Sequence, residues 1–176
     1  EAYSAMGWIQ YRYEWNFAEG ENNFMKAIEL NPNLPNVYMW LSTIHTVRGN
    51  TEKAIFYAEK AVELEPAFSK AIENLVSTLA YNQKCEQAVE LFPRFAQYMT
   101  NQALRLEVEG NILSICGRCE EAFSILLEAK KLSPTGRVLA YSAGYCYAKT
   151  NQTEKAREEL LVFDKAKFNG ISLFGK

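Results

Sequence analysis

The sequence predicts an all-α fold, a solenoid of five helix pairs, and three observations support this. Small residues recur along the chain every 34 positions. Apolar residues between them follow the spacing of one helix face, and glycine, asparagine or proline separates the segments. Such self-similarity is typical of repeat proteins, in which each short unit buries its apolar face against its neighbours.

The 34-residue period is clearest in two slots that lie seven residues apart. The first slot is small in every copy, and the second holds either alanine or phenylalanine. Prolines follow at multiples of the same period, with a threonine where one is missing. The first slot holds Gly20, Ala54, Ala88, Ala122 and Ala156, the second Ala27, Ala61, Phe95, Ala129 and Phe163, and the proline slot Pro32, Pro66, Thr100 and Pro134.

Residues 35–66 show the anatomy of one unit. Pro35 suits the first turn of a helix, where its missing N–H costs little. Gly49 can adopt the left-handed conformation that ends a helix, and Asn50 or Thr51 can cap the helix that follows. Two antiparallel helices of this kind cannot bury their apolar faces alone, so the unit must stack on its neighbours.

These residues resemble the tetratricopeptide repeat. The matching positions are Trp40, Leu41, Ser42, Gly49, Ala54, Ala61 and Pro66 in one copy and Gly110, Gly117, Ala122, Ala129 and Pro134 in another. The copies lie near residues 1–34, 35–68, 69–102, 103–136 and 137–170, and the tail, 171–176, is either a cap or the start of a truncated sixth repeat. The resemblance implies a single domain, a right-handed superhelix whose first helices line a concave groove.

Two departures from the repeat pattern lead to local predictions. Met6 and Gly7 fall one residue early, so we expect an added residue in the turn at residues 13–16. Pro93 lies inside the second helix of the third repeat, where a proline costs about 3 kcal/mol or more. We therefore expect a bent or broken helix near residues 89–93 and an irregular join to the fourth repeat.

A second resemblance concerns residues 13–19, Tyr-Glu-Trp-Asn-Phe-Ala-Glu, and residues 27–32, Ala-Ile-Glu-Leu-Asn-Pro. Both are similar to repeats of bacterial signalling proteins, namely winged-helix transcription regulators, adenylate cyclases and Ser/Thr kinases. This similarity implies an alternative function, a regulatory or oligomerising domain of a larger bacterial protein.

Composition and charge exclude several classes of protein. The net charge is −2, whereas a nucleic-acid binder usually presents a basic face. No apolar run approaches the roughly 18 to 20 residues that a membrane span needs. Four cysteines and no signal peptide at the start favour a reducing, cytoplasmic location.

Cys116 and Cys119 form a CxxC motif, which is found in redox pairs and in zinc sites. The sequence does not supply the further ligands that a zinc site needs, since there is no second CxxC and the single histidine, His45, lies two repeats away. The motif falls in a turn between helices, so a structural role is favoured. The sequence leaves two disulfides as alternatives, one between Cys116 and Cys119 and one between Cys85 and Cys119.

Catalytic chemistry finds no support in the sequence. One histidine cannot be assembled into a Ser-His-Asp or Cys-His site, and there is no Gly-rich phosphate loop. We expect His45 to be packed against the neighbouring helix. Acidic residues lie at the starts of second helices, namely Glu19, Glu21, Glu120 and Glu121. Their negative charges interact favourably with the positive end of the helix dipole, and we expect these side chains to be solvated. The chain is therefore predicted to be no enzyme, with neither cofactor nor metal.

The inward positions of the first helices are the better candidate site, a groove for a protein or peptide. Aromatic anchors would supply contact area, and amides would pair with the partner's backbone. The predicted groove residues are Trp8, Tyr11, Met39, Trp40, Thr43, Val47, Asn74, Ser77, Tyr81, Asn111, Tyr141 and Tyr145, and the other inward positions are Arg12, Asn36, Lys70, Glu73, Glu107, Ser114 and Lys149. Alternatively, Trp8, Trp40 and Tyr145 merely fill the hairpin core.

Two further expectations concern the partner. Chaperone-binding members of the family clamp a C-terminal carboxylate with Lys, Arg and Asn, and the cations are missing from the corresponding slots here. Open ends of a repeat array leave apolar surface exposed, and such patches are often association sites. A homodimer formed through the ends of the array is therefore the other partner to consider.

Overall fold

The computed structural model describes residues 1–133 and 137–165, and every regular element within them is an α-helix. The predicted all-α repeat fold is thereby confirmed. The helices are α1 (Ala2–Arg12), α2 (Phe17–Leu30), α3 (Pro35–Val47), α4 (Thr51–Leu64), α5 (Ser69–Tyr81), α6 (Cys85–Ala96), α7 (Gln102–Ile115), α8 (Cys119–Leu132), α9 (Arg137–Lys149) and α10 (Thr153–Lys165). The predictions that concern Pro134, the Phe163 side chain and the tail at residues 171–176 lie outside what is described.

The helices belong to two compact units, the N-terminal unit, Glu1–Met99, and the C-terminal unit, Thr100–Lys176. The N-terminal unit contains α1 to α6 and the C-terminal unit contains α7 to α10. Within each unit, every odd-numbered helix packs against the even-numbered helix that follows it, so the chain forms helix hairpins. The hairpins follow the predicted repeat boundaries, except that α7 begins one residue early, at Gln102.

The hairpin turns repeat one backbone conformation at the 34-residue period. Gly49 and Gly117 have φ angles of 72° and 74°, in the left-handed region that glycine tolerates best. Gln83, Asn151 and Trp15 occupy the same turn position with φ angles of 62°, 60° and 54°. The predicted helix stop at Gly49 is therefore confirmed, and the chain makes the same turn where no glycine is present.

The first hairpin contains the predicted added residue. Its turn spans residues 13–16, whereas the turn between α3 and α4 spans only residues 48–50. The Asn16 side chain accepts a hydrogen bond of 3.2 Å from the backbone N–H of Glu19, which caps α2. Asn50, predicted to cap α4, precedes that helix but makes no such side-chain bond.

Of the bend or break predicted near residues 89–93, the break is wrong, because α6 continues through Pro93 to Ala96. A proline removes only one backbone donor, and the Pro93 ring is exposed, so the helix loses little packing there. The join to the fourth repeat, which was predicted to be irregular, differs from the preceding join in length. It spans residues 97–101, one more than the join at 65–68.

The core of the first two repeats is a cluster in which α2 meets α3. Phe24 and Ala27 contribute from α2, and Val37, Leu41 and Ile44 contribute from α3. Gly7 lets α1 approach closely, since a Cβ atom there would lie 2.6 Å from Cδ1 of Phe24 and 3.0 Å from the carbonyl oxygen of Gly20. This close packing fixes the spacing of α1 and α3, the helices that form the site described below.

The cysteines pair differently from either predicted disulfide. Cys119, at the start of α8, is bonded to Cys146 in α9, with 5.1 Å between their Cα atoms. Both side chains are buried, because residue 119 begins the helix with its side chain toward α9. The two CxxC cysteines are not bonded to each other, and none of the four cysteines is a free thiol. A dithiol centre at the CxxC therefore finds no support.

Candidate functional site

A cavity of about 350 Å³ opens in the N-terminal unit, on the face formed by the first helices α1, α3 and α5. All of its lining residues are inward positions expected from the sequence, and seven of them are predicted groove residues. The lining consists of Trp8, Tyr11, Arg12, Met39, Trp40, Thr43, Lys70, Glu73, Asn74 and Ser77. We call this cavity the groove.

Two tryptophans form the aromatic wall of the groove. The rings of Trp8 and Trp40 lie 6.4 Å apart, and Trp40 stacks on the buried ring of Phe24 at 5.2 Å. Both tryptophans are half-buried and pack against the core cluster of α2 and α3. They therefore contribute to the core and line the groove at once, so the two alternatives of the sequence analysis apply together.

The polar part of the groove is built around Asn74. Its Nδ2 donates a hydrogen bond of 3.2 Å to Oγ1 of Thr43, whose hydroxyl donates to the backbone carbonyl of Met39 at 3.0 Å. Oδ1 of Asn74 is buried and accepts no hydrogen bond from the residues that the structure describes. Because an unpaired buried acceptor costs about 1–3 kcal/mol, this oxygen favours an incoming N–H or O–H donor.

Tyr11 adds a second polar group to the same wall. Burial raises the pKa of Tyr11, while the positive charge of Arg12 and a side-chain hydrogen bond with Thr43 act in the opposite direction. Because its pKa lies above the ordinary value of 10.0, the hydroxyl is neutral at pH 7. Side chains from α1, α3 and α5 thus meet around Thr43.

Charged residues lie at the rim of the groove. Arg12 is exposed at the end of α1. On α5, Nζ of Lys70 lies 2.8 Å from Oε2 of Glu73, and this pair is partly exposed. An ion pair of this kind adds about 0–1 kcal/mol, so a partner's charged group can compete for either member.

The remaining predicted residues lie elsewhere. Val47 and Tyr81, near the carboxyl ends of their helices, are exposed and do not line the groove. Tyr141 and Tyr145 belong to α9 of the C-terminal unit, where Lys149 lies over the ring of Tyr145.

Asn111 is buried, which its position in the pattern did not indicate. Only 7% of it is exposed, and its Oδ1 accepts a hydrogen bond of 2.9 Å from Ser142. This side chain is therefore satisfied within the C-terminal unit.

A second polar cluster surrounds His45 on α3. As expected, the imidazole is packed: it is 2% exposed and stacks on Tyr57 at 5.3 Å. Glu21, expected to be solvated, instead lies 3.3 Å from Nε2 of His45 and pairs with Arg48. Burial lowers the pKa of His45, and the Glu21 carboxylate opposes that shift. The imidazole is therefore neutral at pH 7, and no pattern in the sequence indicated that Glu21 would reach it.

Metal ligands and membrane-spanning helices are the other features that bear on function. Among the residues described, no group of three or more His, Cys, Asp and Glu side chains is placed to hold a metal ion. Within the same ranges, no helix has both the length and the apolar character needed to cross a bilayer.

Comparisons with known proteins find similarities to this chain in both sequence and fold. The tetratricopeptide repeat family model matches residues 35–68. Photosystem I assembly protein Ycf3 of Rippkaea orientalis is 29% identical over 119 residues, which cover 59% of this chain and 68% of that protein.

Solved structures share the fold at low identity. TTC0263, a thermophilic TPR protein of Thermus thermophilus, superposes with a TM-score of 0.78 at 15% identity, covering 96% of this chain and 92% of the other. YrrB, a TPR protein with an unusual peptide-binding site, superposes with a TM-score of 0.58 at 20% identity, covering 96% and 86%.

Family model, sequence relative and fold agree with the 34-residue period of the sequence. Residues 35–68 thus match the tetratricopeptide repeat, and the chain shares the fold of solved tetratricopeptide repeat proteins.

Proposed function

We propose that this chain is a non-catalytic scaffold that binds a protein or peptide partner in the groove of its N-terminal unit. One observation carries the proposal: Oδ1 of Asn74 is buried beside the groove and has no hydrogen-bond donor among the described residues. A partner's backbone N–H would supply that donor. The groove thus offers one unpaired hydrogen-bond acceptor together with an aromatic contact surface.

The partner we infer is a short apolar segment with its backbone accessible. An apolar side chain would pack against Trp8 and Trp40, which are half-buried and lie 6.4 Å apart. The neighbouring backbone N–H would donate to Asn74, and this division between apolar anchors and backbone bonds is common in peptide recognition. Nucleic acid and membrane are not among the partners proposed.

Selection from a displayed peptide library, using the whole chain as bait, tests this function. Peptides that bind the wild type should bind Asn74→Ala at least tenfold more weakly, because the new acceptor contact is lost. Val47→Ala is the matched control, since Val47 is exposed on α3 outside the groove. Equal binding to Asn74→Ala and wild type would place the binding surface elsewhere and reject the proposal.

The second candidate function is that of a regulatory or oligomerising domain in a larger bacterial signalling or transcription-regulating protein. The observation that favours it is the exposed apolar side of α1, where Met6 and Ile9 are 50% and 47% exposed. A homodimer formed through the ends of the array would cover such a surface.

The cytoplasmic location expected from the sequence stays a prediction, and the Cys119–Cys146 bridge favours an oxidising compartment instead. Disulfides persist mainly in oxidising compartments. Mass spectrometry of the chain alkylated directly in its native cells distinguishes the two. A free thiol at Cys119 would support the cytoplasm, and an intact bridge would support an oxidising compartment.

A further inference from the structure

The exposed side of α1 corresponds to a side that is buried in later repeats. When α1 is aligned with α3 through Gly7 and Ser42, Met6 corresponds to Leu41 and Ile9 to Ile44. Leu41 and Ile44 are fully buried, whereas Met6 and Ile9 are about half exposed. This side of α1 therefore has the apolar character of a repeat-to-repeat interface but is exposed.

The contrast holds along the whole array. The position of Ile9 is filled in the later repeats by residues that are at most 2% exposed. These residues are Ile44, Thr78, Ile112 and Cys146. Among these equivalent positions, only that of the first repeat faces solvent.

The last described helix shows the opposite half of the same interface. Leu160 in α10 is 60% exposed. The four residues that precede it at the 34-residue period are at most 3% exposed, namely Phe24, Ala58, Phe92 and Leu126. Leu160 thus occupies a position that is buried in the four earlier repeats and exposed in the fifth.

The core cluster of the N-terminal unit shows how these two positions meet. Phe24 in α2, which corresponds to Leu160, packs with Leu41 and Ile44 in α3. Those two correspond to Met6 and Ile9. One end of the chain therefore presents the residues that the other end would cover.

We propose that the chain associates head to tail with a second copy of itself, Leu160 of one copy packing on Met6 and Ile9 of the next. A contact between different patches is heterologous, so it leaves one free patch at each end and continues into longer assemblies or closed rings. This deepens the self-association named above as the second candidate function. It does not depend on the groove, and Asn74→Ala should associate as the wild type does.

Sedimentation of the full chain over about a hundredfold concentration range provides the first test. The expected result is an average mass that rises with concentration beyond that of a dimer. Ile9→Glu and Leu160→Glu should each stay monomeric, because each removes one patch. Leu127→Glu, at an exposed leucine of α8, is the matched control and should associate as the wild type does.

Mixing the two variants gives the decisive result. Ile9→Glu retains an intact Leu160 patch and Leu160→Glu an intact α1 patch, so their mixture should form a one-to-one dimer and nothing larger. A wild type that is monomeric throughout would overturn the inference. So would a dimer that survives Leu160→Glu but not Ile9→Glu, since that pattern means that two α1 patches pair with each other. Circular dichroism of each variant checks that it is folded. If a glutamate variant does not fold, the milder pair Ile9→Gln and Leu160→Gln replaces it in the same measurements.

Discussion

Asn74 and Thr43 join neighbouring repeats through a hydrogen bond of 3.2 Å, in which the amide of Asn74 donates to the hydroxyl of Thr43. The bond leaves the carbonyl oxygen of Asn74 buried without a donor among the described residues. Two repeats later the equivalent residues are Ser142 and Asn111, with the side-chain types exchanged: the hydroxyl of Ser142 donates to Oδ1 of Asn111. The asparagine oxygen is satisfied there, so of these two equivalent pairs only the one in the N-terminal unit has an open amide acceptor.

Asn74→Ala should separate binding from stability. The change removes one hydrogen bond, worth about 1 kcal/mol, but also removes the unpaired oxygen, so the free energy of unfolding should fall by about 1 kcal/mol or less. Urea unfolding of the variant measures this. A loss of several kcal/mol would mean that Asn74 serves the core rather than a partner.

Gly7→Ala should destabilise the chain although alanine favours helices. The new Cβ would meet Phe24 at 2.6 Å and the carbonyl oxygen of Gly20 at 3.0 Å. Overpacking costs about 1–3 kcal/mol, and the gain in helix propensity is about 1 kcal/mol, so a net loss of about 1 kcal/mol is expected in thermal unfolding. Gly144→Ala is the control, because its nearest neighbour lies at an ordinary 3.4 Å. Equal stability of the two variants would contradict the close approach of α1.

His45 should make the folded chain less stable in mild acid. Burial lowers its pKa below the ordinary value of 6.5, so the unfolded chain takes up a proton at a higher pH than the folded chain does. The stabilising contribution is therefore complete above pH 6.5 and is lost as the pH falls through the folded-state pKa. His45→Gln should remove this part of the pH dependence of unfolding.

Nuclear magnetic resonance measures that pKa directly, since the chain has a single histidine. The imidazole signal should titrate below pH 6.5. Replacing Glu21 by Gln should lower the pKa further, because the carboxylate now favours the protonated ring. A midpoint above 6.5 in the wild type would show that the Glu21 charge outweighs burial.

Reduction of the Cys119–Cys146 bridge should destabilise the C-terminal unit. The cysteines are 27 residues apart, and closing a loop of that length contributes about 3–4 kcal/mol in the chain-entropy account. Urea unfolding with and without a dithiol reductant measures the difference. Because none of the four cysteines is a free thiol, the double variant Cys119→Ala, Cys146→Ala isolates the effect of this bridge, and without reductant it should be less stable than the wild type by about that amount. No difference on reduction would mean that the bridge does not form in solution.

The sequence predicted the repeats well because their signals are local or strictly periodic. The small residues at Gly20 and Ala54 recur at the 34-residue period, and the added residue in the first turn follows from a one-residue shift of that period. The break at Pro93 was wrong, because one missing donor on an exposed side of α6 is tolerated. The turn conformation at Gln83 could not be foreseen either, since it is imposed by the hairpin and not by the residue.

The groove was predictable as a set of positions, and its chemistry was not. Spacing along the first helices identifies Trp8, Trp40 and Asn74 as inward residues. It does not reveal that Asn74 retains an unpaired oxygen while Asn111 is satisfied, because that depends on which hydroxyl faces each amide. Likewise, the bond between Cys119 and Cys146 depends on how α8 packs on α9, which the CxxC motif does not encode.

The most direct test of groove binding is a titration of the isotope-labelled chain with a selected peptide, followed by nuclear magnetic resonance. The side-chain amide signals of Asn74 and the indole signals of Trp8 and Trp40 should shift together as the peptide is added. Trp15, which is 69% exposed and lies outside the groove, provides an internal control and should not move. Shifts confined to Trp15 or to the C-terminal unit, with Asn74 unchanged, would contradict the proposal that this groove is the binding surface.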